Sequence, residues 1–291
     1  MKKNPEQVFS EIIEKNFKIF DECEKIRKQK IKEWYYDILF VIIFSIVIVY
    51  FLKAPLILAF ITMPVGFVHY LIYKIHEYKI EYKKLSLPLI VQEVGIKSII
   101  FEPNATNDKI YFKSKLFKDF TYFTISDMFE RICKLNPYKI TELTMYLTTA
   151  HQVFKGIVLT FPNKFAENHI IITTKGNRIA SGTKKIKICN PILKKEFNIY
   201  SAKQKLLEEN VYELVPNSIF ELLFTLKKKY QYKKLKLAVF EDKIMLAIDI
   251  KKDLFETSSL FKSCFNINFF TKQLLKDLEP IFYIEKIINQ K

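Results

Sequence analysis

Two apolar stretches near the start of the chain, separated by Lys53-Ala54-Pro55, constrain the fold more than any other feature. They cover residues 35–52 and 54–73, and residues 38–52 and 54–68 carry no charged side chain. A helix rises about 1.5 Å per residue, so crossing a hydrocarbon core of about 30 Å takes roughly 17–25 apolar residues. The two stretches therefore predict a transmembrane helical hairpin. A hairpin inserted into a single leaflet is the alternative.

Basic and aromatic residues mark the two ends of this hairpin that lie on the same side. Lysine and arginine concentrate on the cytoplasmic side of a membrane, and tryptophan and tyrosine concentrate at headgroup level. Both termini are therefore predicted to be cytoplasmic, with the lipid bilayer as a partner. The predicted membrane-interface residues are Trp34, Tyr35, Tyr36, Tyr70, Tyr73, Lys28, Lys30, Lys32, Lys74 and Lys79.

Residues 1–34 read as an amphipathic cytoplasmic helix. Asn4, Pro5 and Gln7 fit the cap, first-turn and capping-box positions of its start. One apolar face is made by Phe9, Ile12, Ile13, Phe17 and Phe20. That face could lie on the membrane, pair with another subunit or pack on the protein's own soluble part. The domain prediction is thus 1–34, a hairpin at 35–74, and a cytoplasmic domain at 75–291.

The charge of the chain points to anionic lipids rather than to nucleic acid. The formal net charge is +16, and most of the excess falls after residue 84. A basic domain beside an anionic leaflet gains on the order of 1 kcal/mol per surface lysine. Only three residues are arginine, the side chain that favours bidentate recognition of bases and phosphates. Nucleic-acid binding is therefore an unfavoured prediction.

Cofactor motifs are absent from the sequence. The four cysteines form no C-x-x-C pair, which predicts isolated buried thiols rather than a zinc site or a disulfide framework. The five glycines form no phosphate-binding loop. No cofactor and no metal are therefore predicted.

After residue 84 short alternating runs give way to helical patterns, which predicts an α+β domain with an antiparallel sheet and flanking helices. The predicted strands are Lys109–Phe112, Leu143–Thr149, Phe154–Phe161, His169–Thr174, Lys185–Cys189, Leu235–Phe240 and Ile244–Ile250, the first five forming a meander and the last two a hairpin. The predicted helices are Ala202–Asn210, Pro216–Lys229 and Asn266–Ile288, the last broken at Pro280.

Four short sequence motifs follow one another along this domain: Val153-Phe154-Lys155-Gly156, Phe197-Asn198-Ile199-Tyr200-Ser201, Leu214-Val215-Pro216 and Asp253-Leu254-Phe255-Glu256. With the preceding double span, they resemble a bacterial family of uncharacterised membrane proteins, domain of unknown function 3137. The resemblance runs from the first span to about Leu260. It implies a membrane-tethered cytoplasmic domain and carries over no catalytic residue. Its motif residues are Phe154, Gly156, Phe197, Tyr200, Ser201, Pro216, Asp253, Phe255 and Glu256.

Catalytic signatures are lacking, so no catalytic residue is assigned. His151, between two predicted strands, and Lys155 and Asp249 are the candidates for a site assembled from scattered residues. Asp253 and Glu256 are predicted to stand in the first turn of a helix, where acids favour the helix dipole.

These observations predict a binding or scaffolding module at the cytoplasmic face of a bacterial inner membrane, with a homo-oligomer or a membrane protein as possible partner. Whether the chain is an enzyme is left open. The rival predictions are a membrane-tethered enzyme with an unrecognised site and a subunit of an oligomeric channel.

Overall fold

The structure is a computed structural model that describes residues 5–52, 56–93, 95, 99–103, 109–132, 137–163, 169–202, 211–212, 215–256, 259–266 and 269–289. At residues 5, 52, 56–63, 65, 269–271 and 288–289 it describes the backbone alone. The chain divides into a helical unit, Met1–Glu93 with Glu256–Leu275, and a sheet unit, Val94–Phe255 with Lys276–Lys291. The combination of helices with an antiparallel sheet confirms the α+β prediction.

Three helices make most of the helical unit: α1 (Pro5–Lys15), α2 (Phe17–Leu52) and α3 (Leu56–Glu93). Among the described residues, one helix is long and apolar enough to cross a membrane, Phe17–Phe51, and none of its apolar window is buried. Such helices occur in membrane anchors and in signal segments. The second predicted span lies partly outside the described residues, so the two-span hairpin stays a prediction.

Helices α2 and α3 run antiparallel, joined by ion pairs. Lys30 Nζ lies 3.2 Å from Glu77 Oε2, and Lys74 Nζ lies 3.0 Å from Glu33 Oε2. Each helix passes without a break through the residues where the sequence placed a domain boundary, 34 and 74. Those boundaries therefore mark a change of composition along a helix, and the domain division stays a prediction.

The N-terminal helix is shorter than predicted. It ends at Lys15, and the side-chain amide of Asn16 donates to the Ile12 carbonyl oxygen at 3.0 Å. An asparagine amide competes for backbone acceptors, which separates α1 from α2. The predicted cap Asn4 lies outside the described residues. Phe9 and Phe20 are buried with ring centroids 5.8 Å apart, whereas Phe17 is 57% exposed, so only part of this apolar face packs within its own unit.

A nine-stranded antiparallel sheet forms the second unit. Its strands are β1 (Ile99–Pro103), β2 (Tyr122–Arg131), β3 (Tyr138–Thr148), β4 (His151–Pro162), β5 (Ile170–Thr174), β6 (Lys184–Lys185), β7 (Phe197–Ser201), β8 (Leu235–Phe240) and β9 (Lys243–Asp249). Their spatial order is β1-β2-β3-β4-β9-β8-β5-β7-β6. The β8–β9 hairpin is confirmed, whereas the meander ends at β4, which pairs with β9 instead of β5.

The remaining helices with bounds inside the described residues are α4 (Ile110–Lys113), α5 (Pro191–Glu196), α6 (Asn217–Lys228) and α7 (Phe269–Asn289). Helix α6 confirms the prediction at Pro216–Lys229. Helix α7 continues through Pro280, so the predicted break is wrong. The predicted helix Ala202–Asn210 lies almost wholly outside the described residues.

Lys109–Phe112 was predicted as a strand and forms helix α4. A four-residue apolar run does not distinguish strand from helix, so packing decides. The Tyr111 ring meets Phe123 at 5.1 Å, and the Phe112 ring stacks on Phe120 at 4.2 Å. The sequence predictions also lack β1 and β2, and they extend β6 over Lys185–Cys189, although that strand has two residues.

The two faces of the sheet carry different apolar sets, because side chains alternate along each strand. The first face bears Met145, Phe154, Val158, Ala238 and Ala247, which are buried in one cluster. The second face bears Phe129, Ile172, Phe197, Leu237 and Leu246, which are also buried. Helix α6 packs on this second face, where the Phe224 ring lies 5.2 Å from Phe197.

Candidate functional site

Two of the predicted interface lysines lie between α2 and α3. Lys30 is 12% exposed, and its Nζ lies 3.2 Å from both Glu77 Oε2 and Glu81 Oε1. Lys74 is 11% exposed and contacts Glu33 and Glu77 at 3.0 and 3.5 Å. These charges are matched by carboxylates inside the helix pair. Their geometry supports the pairing of the helices more directly than contact with lipid.

The other predicted interface residues are arranged in two ways. Tyr35, Tyr36 and Tyr73 are exposed, as are Lys28 and Lys32. The Trp34 ring lies 5.6 Å from Phe67 and 5.7 Å from Phe261, Tyr70 is half-buried, and Lys79 pairs with Glu256 at 2.7 Å. The membrane-interface assignment of these residues remains a prediction.

The family-like motif residues have structural roles in the sheet unit. A Cβ added to Gly156 would lie 2.0 Å from the Ile248 carbonyl oxygen on the neighbouring strand. Only glycine permits this approach. Phe154 is buried with its ring 4.9 Å from Phe117.

The second and third motif pieces also supply packing. Phe197 begins β7 on the second face of the sheet, and Tyr200 packs against the first-face cluster. Ser201 is buried at the end of the strand. Pro216 immediately precedes α6, where a missing N–H costs nothing. The contacts of these residues are therefore packing contacts within the sheet unit.

The last motif piece corrects a sequence prediction, because no helix begins at Asp253 or Glu256. The backbone N–H of Leu254 instead donates to the buried Glu142 carboxylate at 2.9 Å. Phe255 is buried, with a φ of 54° and its ring 5.0 Å from Phe129.

The first and last residues of this piece are acids that form ion pairs instead of capping a helix. Asp253 pairs with Lys155, and Glu256 pairs with Lys79. The segment is therefore held by the hydrogen bond from Leu254 to Glu142, by the packing of Phe255 and by these two ion pairs.

A cavity of about 430 Å³ opens where several strands of the sheet unit end. His151 at the start of β4 and Asp249 at the end of β9 both line it. His151 belongs to the strand itself, which corrects the prediction that placed it in a hairpin loop. Lys155 does not line the cavity: it neighbours Gly156, the partner of Asp249, and so points to the opposite face of the sheet. The structure thus joins two of the three candidates.

Lys236 is the residue of this cavity that sequence reasoning missed. It is 9% exposed in β8 on the first face, between Ala247 and Thr173 of the neighbouring strands. Its Nζ donates to the Arg178 carbonyl oxygen at 3.1 Å and lies 5.3 Å from the centre of the Phe117 ring. Burial lowers the pKa of this lysine to about 8. The only sequence signal was a lysine at an inward position of an otherwise apolar strand.

Cations outnumber acids around the cavity. Lys118, Arg178, Lys234 and Lys236 line it together with Asp119 and Asp249. Lys234 Nζ lies 3.5 Å from Asp249 Oδ2. Phe117, Leu147 and Val153 supply an apolar wall. Nine of the thirteen lining residues are polar or charged, so the cavity is a polar space of the size of small-molecule sites with apolar side chains on part of its wall.

The helical unit contains a second buried polar group that does not resemble a ligand site. Glu24 accepts from both Arg27 Nε (2.9 Å) and the Cys264 N–H (3.0 Å), and the Arg27 hydrogen bond lowers the pKa of Glu24 to about 2. Cys23 and Cys264 are buried in one cluster, and burial raises the pKa of these thiols to about 12 and about 11. Cys189 is exposed, and Cys133 lies outside the described residues. Across the described part of the chain, no three His, Cys, Asp or Glu side chains gather as a metal ion requires.

The described residues form an α+β protein that has a long apolar helix in its helical unit and a cavity of about 430 Å³ in its sheet unit. Residues 152–290 match the family model described as protein of unknown function (DUF3137). This confirms the resemblance drawn from the motifs. The matched stretch differs in extent from the predicted one, because it begins after both apolar segments and continues past Leu260.

Comparison with functionally characterised proteins gives no significant match. The crystal structure of the mycobacterial trehalose monomycolate transport factor A is 8% identical, with a TM-score of 0.36, covering 68% of this chain and 90% of that one. A TM-score this low does not establish a common fold.

Proposed function

We propose that this chain is a membrane-anchored binding module at the cytoplasmic face of a bacterial inner membrane. The observation that carries the proposal is the apolar surface of α2. Leu39, Phe40, Ile43 and Phe44 are all more than half exposed, and they lie in the unburied apolar window of that helix. Monomeric soluble proteins rarely expose contiguous apolar surface of this extent, whereas a lipid bilayer covers it.

The proposed anchor is a hairpin in which α3 forms the second span. The ion pairs of Lys30 and Lys74 with carboxylates of the facing helix lie where the two helices leave the apolar stretch. Lys28 and Lys32 are exposed at the same level of α2 and would meet anionic lipid headgroups. This orientation keeps both termini in the cytoplasm, in line with the distribution of lysine.

The proposed binding function rests on the cavity of the sheet unit. His151, Asp249 and Lys236 all line it, together with the apolar side chains of Phe117, Leu147 and Val153. The presence of these three residues in one lining also supports a membrane-tethered enzyme as the second candidate, since a histidine, a carboxylate and a lysine include the usual proton-transfer groups. The two candidates differ in whether a bound ligand is released unchanged.

Cell fractionation and topology mapping test the anchor. The full-length protein is expected to stay in the membrane pellet after alkaline carbonate washing. A Lys53→Cys variant without the native cysteines is expected to react with a membrane-impermeant maleimide on intact spheroplasts, and a fluorescent reporter fused after Lys291 is expected to be active inside the cell. Protein found in the supernatant, or a reporter outside the cytoplasm, would contradict the proposal.

A further inference from the structure

The cavity around Lys236 is lined by cations from different parts of the chain. Lys236 and Arg178 approach it from different segments, a strand and the turn after β5, and the Lys236 ammonium is held to the Arg178 carbonyl. A lysine ammonium has three N–H donors, so this hydrogen bond leaves donors for a ligand. A buried lysine costs stability unless it is compensated, and such groups concentrate at functional sites.

The turn that carries Arg178 is fixed by hydrogen bonds. The Asn177 amide donates to Thr174 Oγ1 at 2.6 Å and to the Thr174 carbonyl at 3.1 Å, and Thr174 Oγ1 accepts from the Leu235 N–H at 3.1 Å. Gly176 permits this turn with a φ of 82°. The guanidinium of Arg178 is exposed at the rim and forms no ion pair with any residue that the structure describes.

The charges of the lining decide the ligand class. Four cations against two carboxylates leave an excess of two positive charges when His151 is neutral. A phosphate monoester carries about −1.5 to −2 charges near neutral pH, whereas a carboxylate carries one. Asp249 forms an ion pair with Lys234, and Asp119 is exposed. Burial lowers the pKa of Lys236, and the charge of Asp249 opposes this lowering only in part.

We propose that this cavity binds a small organic phosphate. The phosphate group lies between Lys236 and Arg178, and the apolar part of the ligand lies against Phe117, Leu147 and Val153. The inference names the ligand of the proposed binding module and so rests on that function. It does not depend on the membrane anchor, because every residue of the cavity belongs to the sheet unit.

Calorimetric titration of the full-length protein in nanodiscs of zwitterionic lipid tests the proposal, with phenyl phosphate, benzoate and phenol as probes. Phenyl phosphate is expected to bind saturably at one site, at least tenfold more tightly than benzoate, and phenol is expected not to bind. Lys236→Met, which retains most of the volume and removes the charge, is expected to weaken phenyl phosphate binding at least tenfold. Lys236→Arg is expected to retain part of it.

Two further variants separate ligand contact from folding. Arg178→Gln changes an exposed rim residue and is expected to weaken binding severalfold without loss of structure. Lys187→Gln removes an exposed lysine of the same unit that lies outside the cavity, and it is expected to bind like the unmodified protein. Equal affinity in the Lys236→Met, Arg178→Gln and Lys187→Gln variants would overturn the proposal, as would equal binding of phenyl phosphate and benzoate.

A last arm distinguishes a soluble phosphate from a lipid headgroup. Nanodiscs that contain phosphatidic acid present the same group within the bilayer, and competition with phenyl phosphate would identify the lipid as the source. Binding unaffected by phosphatidic acid would identify a soluble ligand. If phenyl phosphate and phosphatidic acid both fail to bind, the ligand class is wrong; membrane fractionation still reports separately on the anchor.

Discussion

The helical unit and the sheet unit are built from similar apolar side chains but place them in opposite environments. In α2, Phe40 is 66% exposed, whereas in β8 Phe240 is 1% exposed. The polar groups show the reverse arrangement: Lys30 and Glu24 are paired inside the helical unit, whereas the cavity of the sheet unit keeps more cations than acids. The exposed apolar surface of α2 and the excess of cations around the cavity are therefore the two features for which we propose a lipid bilayer and an anionic ligand, respectively.

The largest expected effect comes from the closest backbone approach in the sheet unit. Gly156→Ala places a methyl group against the Ile248 carbonyl oxygen, a backbone atom that cannot rotate away. We expect a loss of about 4 kcal/mol or more in the stability of this unit. Hydrogen exchange at β4 and β9 measures the loss, since local opening reports local stability.

The matched control for that variant is Gly66→Ala in α3, where an added Cβ meets no atom within 4 Å. It is expected to destabilise neither unit, and alanine in the interior of a helix is expected to be favoured over glycine by up to about 1 kcal/mol. If the Gly156→Ala and Gly66→Ala variants lost the same amount of stability, tight backbone packing would not distinguish the sheet unit from the helical unit.

The second largest effect concerns the exposed apolar surface. Ile43→Lys introduces a charge into the apolar part of α2, where a lysine at the centre of a membrane helix costs about 3 kcal/mol. We expect a lower fraction of protein in carbonate-washed membranes, with hydrogen exchange in the sheet unit unchanged. Lys28→Gln, on the exposed flank of the same helix, serves as the control and is expected to retain normal insertion.

An Ile43→Lys protein that remained fully inserted would show that α2 does not lie across the bilayer. Loss of the sheet unit's protection in the same variant would show instead that Ile43 stabilises the fold of the protein itself. Either result would remove the contrast between the two environments.

Composition and alternation were sufficient to predict the parts of the fold in which local pattern and final environment agree. The runs Leu235–Phe240 and Ile244–Ile250 alternate around a short turn, and they form β8 and β9. The long apolar run was predicted as a helix for a different reason, namely that it is longer than the strands of water-soluble proteins. The pairing of β4 with β9 is a contact across much of the chain, and no local pattern encodes it.

Where tertiary packing decided, the sequence predictions were wrong. Tyr111 and Phe112 satisfy a strand pattern as well as a helix pattern, and their aromatic neighbours select the helix. Asp253 resembles a helix-capping acid, but the burial of Phe255 holds the segment in a non-helical conformation. His151 and Asp249, two of the residues that line the cavity, were candidates from the sequence, whereas Lys236 was not, because it lies within an apolar strand.

A third, smaller effect separates the units by pH. The pKa of Glu24 is about 2 in the folded protein because Arg27 donates to it, so its stabilising contribution is present above its ordinary value of 4.5 and is lost as pH falls towards 2. We expect a loss on the order of 2 kcal/mol in the helical unit, followed by urea unfolding with the fluorescence of Trp34. Glu24→Gln is expected to be less stable at pH 7 and to lack this dependence.

The sheet unit should respond at the alkaline end with the opposite sign. Lys236 titrates at about 8 when folded and at 10.5 when unfolded, so the unfolded chain binds more protons between these values and stability rises with pH across that window. Asp249 opposes the shift, and Lys234 reinforces it. We expect a gain on the order of 2 kcal/mol, absent in Lys236→Met, which is already more stable at pH 7. Hydrogen exchange at β8, corrected for the intrinsic rate, measures it; a flat profile in the unmodified protein would contradict the burial of a charged lysine.

The smallest expected effect tests whether short elements of the sheet unit are stabilised locally, in contrast to the apolar part of α2, which we propose is stabilised by the bilayer. Asn190 caps α5, and its side-chain oxygen accepts from the Ile192 and Leu193 N–H groups at 3.0 and 3.2 Å. Asn190→Ala is expected to cost about 1 kcal/mol, and Asn190→Asp is expected to restore most of it, because the carboxylate accepts the same hydrogen bonds. Hydrogen exchange confined to α5 checks this expectation. Faster exchange throughout the sheet would show that the cap stabilises the whole unit. The sheet unit would then differ from α2 in the cooperativity of its unfolding as well as in its surroundings.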